Sequence, residues 1–434
     1  MSKKTLFWFR RDLRLHDNTG LFKALSEEKN VLPVFILDTN ILEKLEKCDA
    51  RVTFLHQTLK GLKQKLQQHG SDLHIEYGEP KAVWKKLVNT HQPTAVYANT
   101  DYEPYARTRD AWVEKFLAEQ DITFVRTKDH IVFEKNEVLK ADGTPYTVFT
   151  PYSRKWREHL TPADLAPFKS EDLPQNYAQI SKKTDTPSLE SMGFSQSSLT
   201  LPGQDIDLKI IKNYDQTRDI PSLNTGTSHL GLHLRFGTIS IRNLVHQSLP
   251  LNDTYVSELC WRDFYQQILW HFPHAADKPF RAKYEAIEWR NMEGEFEKWC
   301  NGQTGYPIVD AGMRELNATG YMHNRVRMIT ASFLCKHLLI DWRWGEAYFA
   351  KKLLDFDLAA NNGGWQWSAG TGCDAAPYFR VFNPEAQQKK FDPKFEYIKK
   401  WVPEFGTDAY VQPMVEHKIA RIRALDTYKQ GLGN

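Results

Sequence analysis

The chain has 434 residues, 41% hydrophobic and 26% charged, a balance that excludes a disordered or fibrous protein and leaves room for two ordinary domains. Its 57 Lys and Arg against 54 Asp and Glu give a net charge of +3, which neither demands nor forbids a nucleic-acid partner, because a local basic patch is enough for binding. Apolar residues after Met1-Ser2-Lys3-Lys4 are cut short by Arg10, Arg11 and Asp12, so no signal-peptide core is expected there, and no membrane span anywhere. The five cysteines (48, 260, 300, 335 and 373) form no C-x-x-C pair and no zinc spacing, which points to free thiols in a reducing cytoplasm and no metal site.

In chain order, apolar strand-like runs at 5–9, 31–37, 73–77, 95–98 and 122–125 alternate with helix-period stretches such as 50–69 and 106–119. Buried strands alternating with helices predict a doubly wound parallel α/β domain over residues 1–130. It carries no G-x-G-x-x-G fingerprint, so a dinucleotide site of that type is not expected there. Pro, Ser, Asp, Gln and Thr then dominate, most of all in 181–198, and predict a long exposed linker over 131–205. Beyond it, strand signals fade and helical periodicity with capping residues predicts an all-helical domain over 206–434. Nine of the 13 tryptophans fall between Trp261 and Trp401, inside that helical part.

Three clusters there carry chemistry. Thr225-Gly226-Thr227-Ser228-His229-Leu230-Gly231 places hydroxyls and glycines ahead of a helix, a plain helix start that also offers donors to a phosphate. Glu258, Trp261, Arg262 and Tyr265 fall at i, i+3, i+4 and i+7, so one helix face carries a carboxylate, an indole, a guanidinium and a phenol. Such a face also fits an amphipathic helix with a salt bridge. The third cluster joins His323-Asn324-Arg325-Val326-Arg327-Met328 to the stretch 355–367, where paired Asn, paired Gly and alternating Trp predict an irregular loop.

With Phe7-Trp8-Phe9-Arg10-Arg11-Asp12-Leu13-Arg14, Phe149-Thr150-Pro151-Tyr152, Gly305-Tyr306-Pro307-Ile308-Val309-Asp310-Ala311 and Asp374-Ala375-Ala376-Pro377-Tyr378-Phe379-Arg380, these clusters resemble the photolyase/cryptochrome family in order along almost the whole chain. Within it the chain is similar to the class I cyclobutane pyrimidine dimer photolyases. The resemblance implies a lyase that repairs ultraviolet-damaged DNA under blue light, with reduced FAD as electron donor to a flipped-out dimer. It places FAD in the helical domain, held by Tyr214, Thr227, Ser228, His229, Leu230, Gly231, Tyr255 and Phe356. Arg327 and Asp355 would form a buried ion pair beside the flavin, with Asp357 near its polar edge. Asn361 would face flavin N5, an amide where signalling relatives carry Asp or Cys.

On the same footing, Trp261 and Trp367 would wall the dimer pocket, Glu258 would hydrogen-bond the dimer, and Asn324 and Met328 would touch it. Met328 stands where the enzymes of six–four photoproducts place a His, which favours the cyclobutane branch. Arg218, Arg262 and Arg325 are candidates for phosphate contacts. Trp365, Trp342 and Trp289 align with the relay that photoreduces the flavin. Tyr255 and Tyr321 depart from the pattern, since the enterobacterial enzyme has Trp at both places. A second, antenna chromophore is implied, and its identity stays open between a folate, a deazaflavin and a flavin: Tyr105-Ala106 replaces the Asn-Glu pair of folate binders, with Glu103 as a possible substitute carboxylate. A cytoplasmic monomer with no membrane contact and no obligate protein partner is expected. The alternatives are a cryptochrome-like photoreceptor without repair activity, a generic FAD oxidoreductase and a noncatalytic DNA-binding protein. No tail of the signalling kind is expected after the helix-like stretch 415–428.

Overall fold

The computed structural model describes residues 4–433; Met1, Ser2, Lys3 and Asn434, and with them the start of the leader reading, lie outside the described residues. The chain divides into two compact units. The first gathers residues 4–137, 159–206 and 230–247, and the second gathers 138–158, 207–229 and 248–433.

In the first unit five parallel strands, β1 (Thr5–Phe9), β2 (Val31–Asp38), β3 (His74–Gly78), β4 (Ala95–Asn99) and β5 (Thr123–Thr127), lie in the order β3-β2-β1-β4-β5. Thr5 of β1 pairs with Val31 on one side and Ala95 on the other, so the strand order reverses beside β1, as in a doubly wound sheet. β1, β2 and β4 are buried along their whole length, which is why they read as unbroken apolar runs. The helices α1 (Thr19–Glu27), α2 (Ala50–Gln68), α3 (Pro80–His91) and α4 (Pro104–Ala118) alternate with them.

Most of the exposed linker expected over 131–205 belongs instead to the two units. Residues 138–158 belong to the helical unit, and 159–206 fold onto the α/β unit, where Leu189, Met192 and Phe194 are buried in the same core as β1 and β2. Three apolar anchors in a polar stretch are enough to hold it down, although the composition hides them. The boundary at 206 also moves, because residues 230–247 join the first unit. Arg242 reaches Asp17 at 2.8 Å and Asp129 at 3.1 Å, and Arg14 meets Asp129 at 2.7 Å. These charges are buried and therefore paired.

The second unit is helical. Its principal helices are α5 (Phe149–His159), α6 (Asp253–His271), α7 (Pro307–Thr319), α8 (Asn324–Ser332), α9 (Trp342–Lys352), α10 (Leu358–Ala369) and α11 (His417–Gly431), with a π-helical turn at Phe333–His337 after α8. α10 corrects the loop expected at 355–367. Asp357 caps it by accepting from the Ala359 N–H at 3.2 Å, and Gly370, at a φ of 85°, ends it. Gly363 serves close packing rather than a turn, since a Cβ there would stand 2.2 Å from the Tyr265 ring of α6. Among the described residues no helix is long and apolar enough to cross a membrane.

Candidate functional site

The side chain of Asn252 accepts from the Tyr255 N–H and starts α6, and the polar-aromatic face expected on that helix is present. Trp261 is half-buried. Its ring stacks on Phe149 with centroids 3.6 Å apart and planes 8° apart, so Phe149 covers one indole face. Phe149 is itself anchored by its N–H, which donates to Asp374 Oδ2 at 3.0 Å. One turn along α6, Tyr265 lies 5.3 Å from Trp261, and with Trp367, Ile268, Phe280 and Gly363 it lines a small, half-open cavity. Trp367 thus lines this cavity directly, whereas Trp261 meets it through Tyr265.

Glu258 accepts from Arg218 Nη1 at 2.5 Å. Burial raises its carboxyl above the usual carboxylate range, against the pull of Arg218. Arg325 donates to Asp219 at 2.7 Å and lies 4.4 Å over the Phe391 ring. Two of the three expected phosphate contacts, Arg218 and Arg325, therefore hold carboxylates of this unit; Arg262 is half-buried on α6. Asn324 is exposed as the first residue of α8, after the cap His323, and Met328 is half-buried one turn on.

Arg327 donates to Asp355 Oδ2 at 2.9 Å and to the Met322 carbonyl at 2.7 Å. The pair was expected to be buried, but its side chains are 25% and 23% exposed. Asp355 Oδ1 is nevertheless hidden and has no hydrogen-bond partner. A hidden acceptor beside a half-open ion pair fits a polar ligand edge that would complete both. Asp357, besides capping α10, accepts from Gln266 Nε2 at 3.0 Å. Phe356 is half-buried against the helical core. Asn361 donates its amide N–H to Glu346 Oε1 at 2.8 Å and to the Glu346 carbonyl at 3.2 Å, which commits the donor and leaves the amide oxygen to accept. Burial raises the Glu346 carboxyl as well, with the Asn361 bond opposing.

The hydroxyl cluster is assembled from three segments. Ser228 and Tyr255 share a hydroxyl–hydroxyl bond of 2.9 Å, and Thr227 and Tyr321 share one of 3.0 Å. Tyr214 meets the Tyr255 ring edge to face at 5.1 Å. His229, at a φ of 53°, packs on Tyr321 at 4.3 Å. Leu230 and Gly231 fall in the α/β unit, where Leu230 is buried and Gly231 opens a helix of six residues.

Trp365 and Trp342 are buried in the helical core, and Trp289 packs at its edge, 5.9 Å from Tyr428. The indole N–H groups of Trp365 and Trp342 are hidden without acceptors. Sequence reasoning did not single out Phe149 as the cover of Trp261, Glu346 as the partner of Asn361, or Gln266 as the partner of Asp357. The 149–152 motif was a signal for the first. Nothing in the sequence marks the other two, which depend on helix packing. In the α/β unit Glu103 is already neutralised by Arg11 at 2.9 Å and Arg235 at 3.1 Å, while Tyr105 donates to Asp38 at 2.6 Å.

Residues 5–174 match the family model described as DNA photolyase, and residues 255–407 match the FAD binding domain of DNA photolyase. The chain is 38% identical to the deoxyribodipyrimidine photo-lyase of Synechococcus sp., over 99% of this chain and 97% of that one. A bacterial class III photolyase from Agrobacterium tumefaciens superposes with a TM-score of 0.87 at 31% identity, covering 100% of this chain and 98% of that one. An archaeal photolyase from Sulfolobus tokodaii, solved with two FAD molecules, gives a TM-score of 0.86 at 36% identity, covering 98% and 100%.

The chain belongs to the DNA photolyase family. Its helical unit accordingly carries the family's FAD-binding domain, and its α/β unit is the photolyase N-terminal fold.

Proposed function

We propose that this photolyase family member is a deoxyribodipyrimidine photo-lyase of class I, repairing cyclobutane pyrimidine dimers in DNA under blue light. The observation that carries the reading is the anchoring of Asn361 to Glu346, which commits the amide donor and leaves a non-ionisable acceptor on α10, the helix that begins just after Asp355 of the Arg327–Asp355 pair. An amide so held accepts a hydrogen bond without supplying a proton, as suits a site that keeps its flavin reduced. FAD bound there would supply light-driven electron donation to the dimer.

The protein's part is to bind, orient and exclude water. Arg327, Asp355, Phe356, Asp357 and Asn361, with Tyr214, Tyr255, Thr227, Ser228 and His229, hold the cofactor. The face of Trp261 away from Phe149 and the ring of Trp367 receive the flipped bases, with Met328 and Asn324 beside them. The Glu258–Arg218 pair offers either an N–H or a protonated carboxyl to a base carbonyl, because the guanidinium is already on the carboxylate and burial favours the neutral acid. Arg262 and Arg325 contact backbone phosphates, Arg325 by exchanging Asp219 for the DNA. Trp365, Trp342 and Trp289 are the indoles that would relay electrons inward to an oxidised flavin bound there. A second chromophore belongs to the α/β unit. A folate held through Glu103 is disfavoured, because two arginines already satisfy that carboxylate. The protein acts as a cytoplasmic monomer.

The test is to irradiate a thymine-dimer oligonucleotide with blue light in the presence of the reduced holoprotein. Thymine ultraviolet absorbance is expected to recover. A flavin-loaded, reduced protein that leaves the dimer intact would make it a photoreceptor instead.

A further inference from the structure

Thr227 and Ser228 are neighbours in sequence, and a phenol from a different segment captures each hydroxyl: Tyr321, between α7 and α8, takes Thr227, and Tyr255, in the first turn of α6, takes Ser228. Each phenol makes no other hydrogen bond among the described residues. Tyr255 is 5% exposed and Tyr321 half-buried, so neither phenol is a solvated surface group. We propose that Tyr255 and Tyr321 are positioning residues of the cofactor cradle: each donates its phenol proton to Ser228 or Thr227 and so turns that residue's own proton toward an anionic, phosphate-bearing ligand. This rests on the reading that the helical unit holds FAD.

The argument is one of donors and acceptors. A serine or threonine hydroxyl has one proton and two lone pairs, and a phosphate oxygen only accepts. To serve a phosphate, the hydroxyl must give its proton to the ligand. Left alone, such a hydroxyl tends to spend it on nearby backbone carbonyls. A phenol that donates into one lone pair imposes the useful orientation. Burial pushes both phenols up to about 12, so they stay protonated and able to donate.

His229 does not compete for the Thr227 proton. Its Nε2 lies 3.1 Å from the Asn224 carbonyl and 3.4 Å from Thr227 Oγ1. A carbonyl can only accept, so Nε2 carries the hydrogen and has no lone pair to draw on Thr227. The helix that follows, Gly231–Phe236, has only six residues, so the cradle depends on oriented side-chain hydroxyls rather than on a long helix dipole.

The sign of the response decides the direction of these bonds. Tyr255→Phe and Tyr321→Phe keep the rings, and with them the packing on Tyr214 and His229, and remove only the hydroxyls. Each should weaken FAD binding about fivefold, the worth of one ordinary neutral hydrogen bond, as read from flavin fluorescence on the full chain. Riboflavin, which lacks phosphates, should bind each variant as it binds the parent. In a Ser228→Ala background Tyr255→Phe should have no further effect, and the same holds for Thr227→Val with Tyr321→Phe; this cycle isolates the pair from any general loosening of the fold. Unchanged or tighter FAD binding by the Phe variants would overturn the inference, because the hydroxyls would then be donating to the phenols. Equal losses for riboflavin and FAD would overturn it too. A parent chain that binds no FAD would instead remove the reading beneath it.

Discussion

Phe149 covers one face of Trp261 at 3.6 Å, so only the other face of that indole can meet a base. Trp261→Ala should weaken binding of a dimer-containing oligonucleotide by about 1–3 kcal/mol, the range for one stacked base, as measured by fluorescence anisotropy. Phe149→Ala should act in the same direction but less, because the indole stays and loses only its support. The Arg327–Asp355 pair behaves differently, since one acceptor of Asp355 is hidden and unmet. Asp355→Asn removes the charge that Arg327 faces while preserving shape. It should cost FAD affinity about 1–2 kcal/mol, below the figure for a fully buried pair because a quarter of each side chain is open. Equal FAD content in the purified variant and parent would reject this role for the pair.

At the scale of elements, the contact of α9 with α10 holds Asn361 and two of the three tryptophans proposed for the relay. Trp342, Gly345 and Glu346 of α9 face Asn361 and Trp365 of α10, and a Cβ on Gly345 would stand 2.0 Å from the Trp365 ring. Gly345→Ala should therefore destabilise the fold by about 1–3 kcal/mol, the usual cost of overpacking, with a lower thermal midpoint and slower photoreduction of oxidised flavin. A melting curve and a flavin photoreduction trace on the same sample check both. The same contact explains what was legible in the sequence. α6 could be read directly, because its cap and its polar face keep a 3.6-residue period. α10 could not, because two Asn and two Gly in a row read as a loop when the partner that Gly363 must admit, Tyr265, lies about a hundred residues earlier. The stretch 181–198 is largely exposed, as its composition says, but its polar majority hides the few buried residues that hold it.

For the whole molecule, a buried lysine predicts the response to pH. Lys336, in the π-helical turn, is 1% exposed, donates to the Ala369 carbonyl at 2.8 Å and lies 3.5 Å over the Tyr428 ring. Burial pulls its ammonium down from 10.5 to about 7. The unfolded chain therefore binds this proton more tightly than the folded one between pH 7 and 10.5, so stability should rise with pH across that window, while below about 7 the penalty is fully present. Lys336→Met should flatten the difference between denaturant midpoints taken at pH 7 and at pH 9; an unchanged difference would assign it to other groups. The proposed electron relay is also a property of the assembled unit. Trp289→Phe should abolish photoreduction of oxidised flavin yet preserve repair once the flavin is reduced chemically, and loss of repair in reduced protein would show that Trp289 does something else.

The sequence alone determined the parallel order of strand and helix in the first unit and the change to a helical second unit. These rest on local period, on capping and on ordered motifs, all of which are properties of neighbouring residues. Only the tertiary structure decided that 159–206 and 230–247 belong to the α/β unit, that 358–369 is a helix, and that Asn361 is tied to Glu346. It also decided that the hydroxyls of Thr227 and Ser228 each meet a phenol. Each of these depends on which distant surfaces pack together. A hydrogen bond or a close glycine contact across dozens of residues leaves no period in the chain from which to read it.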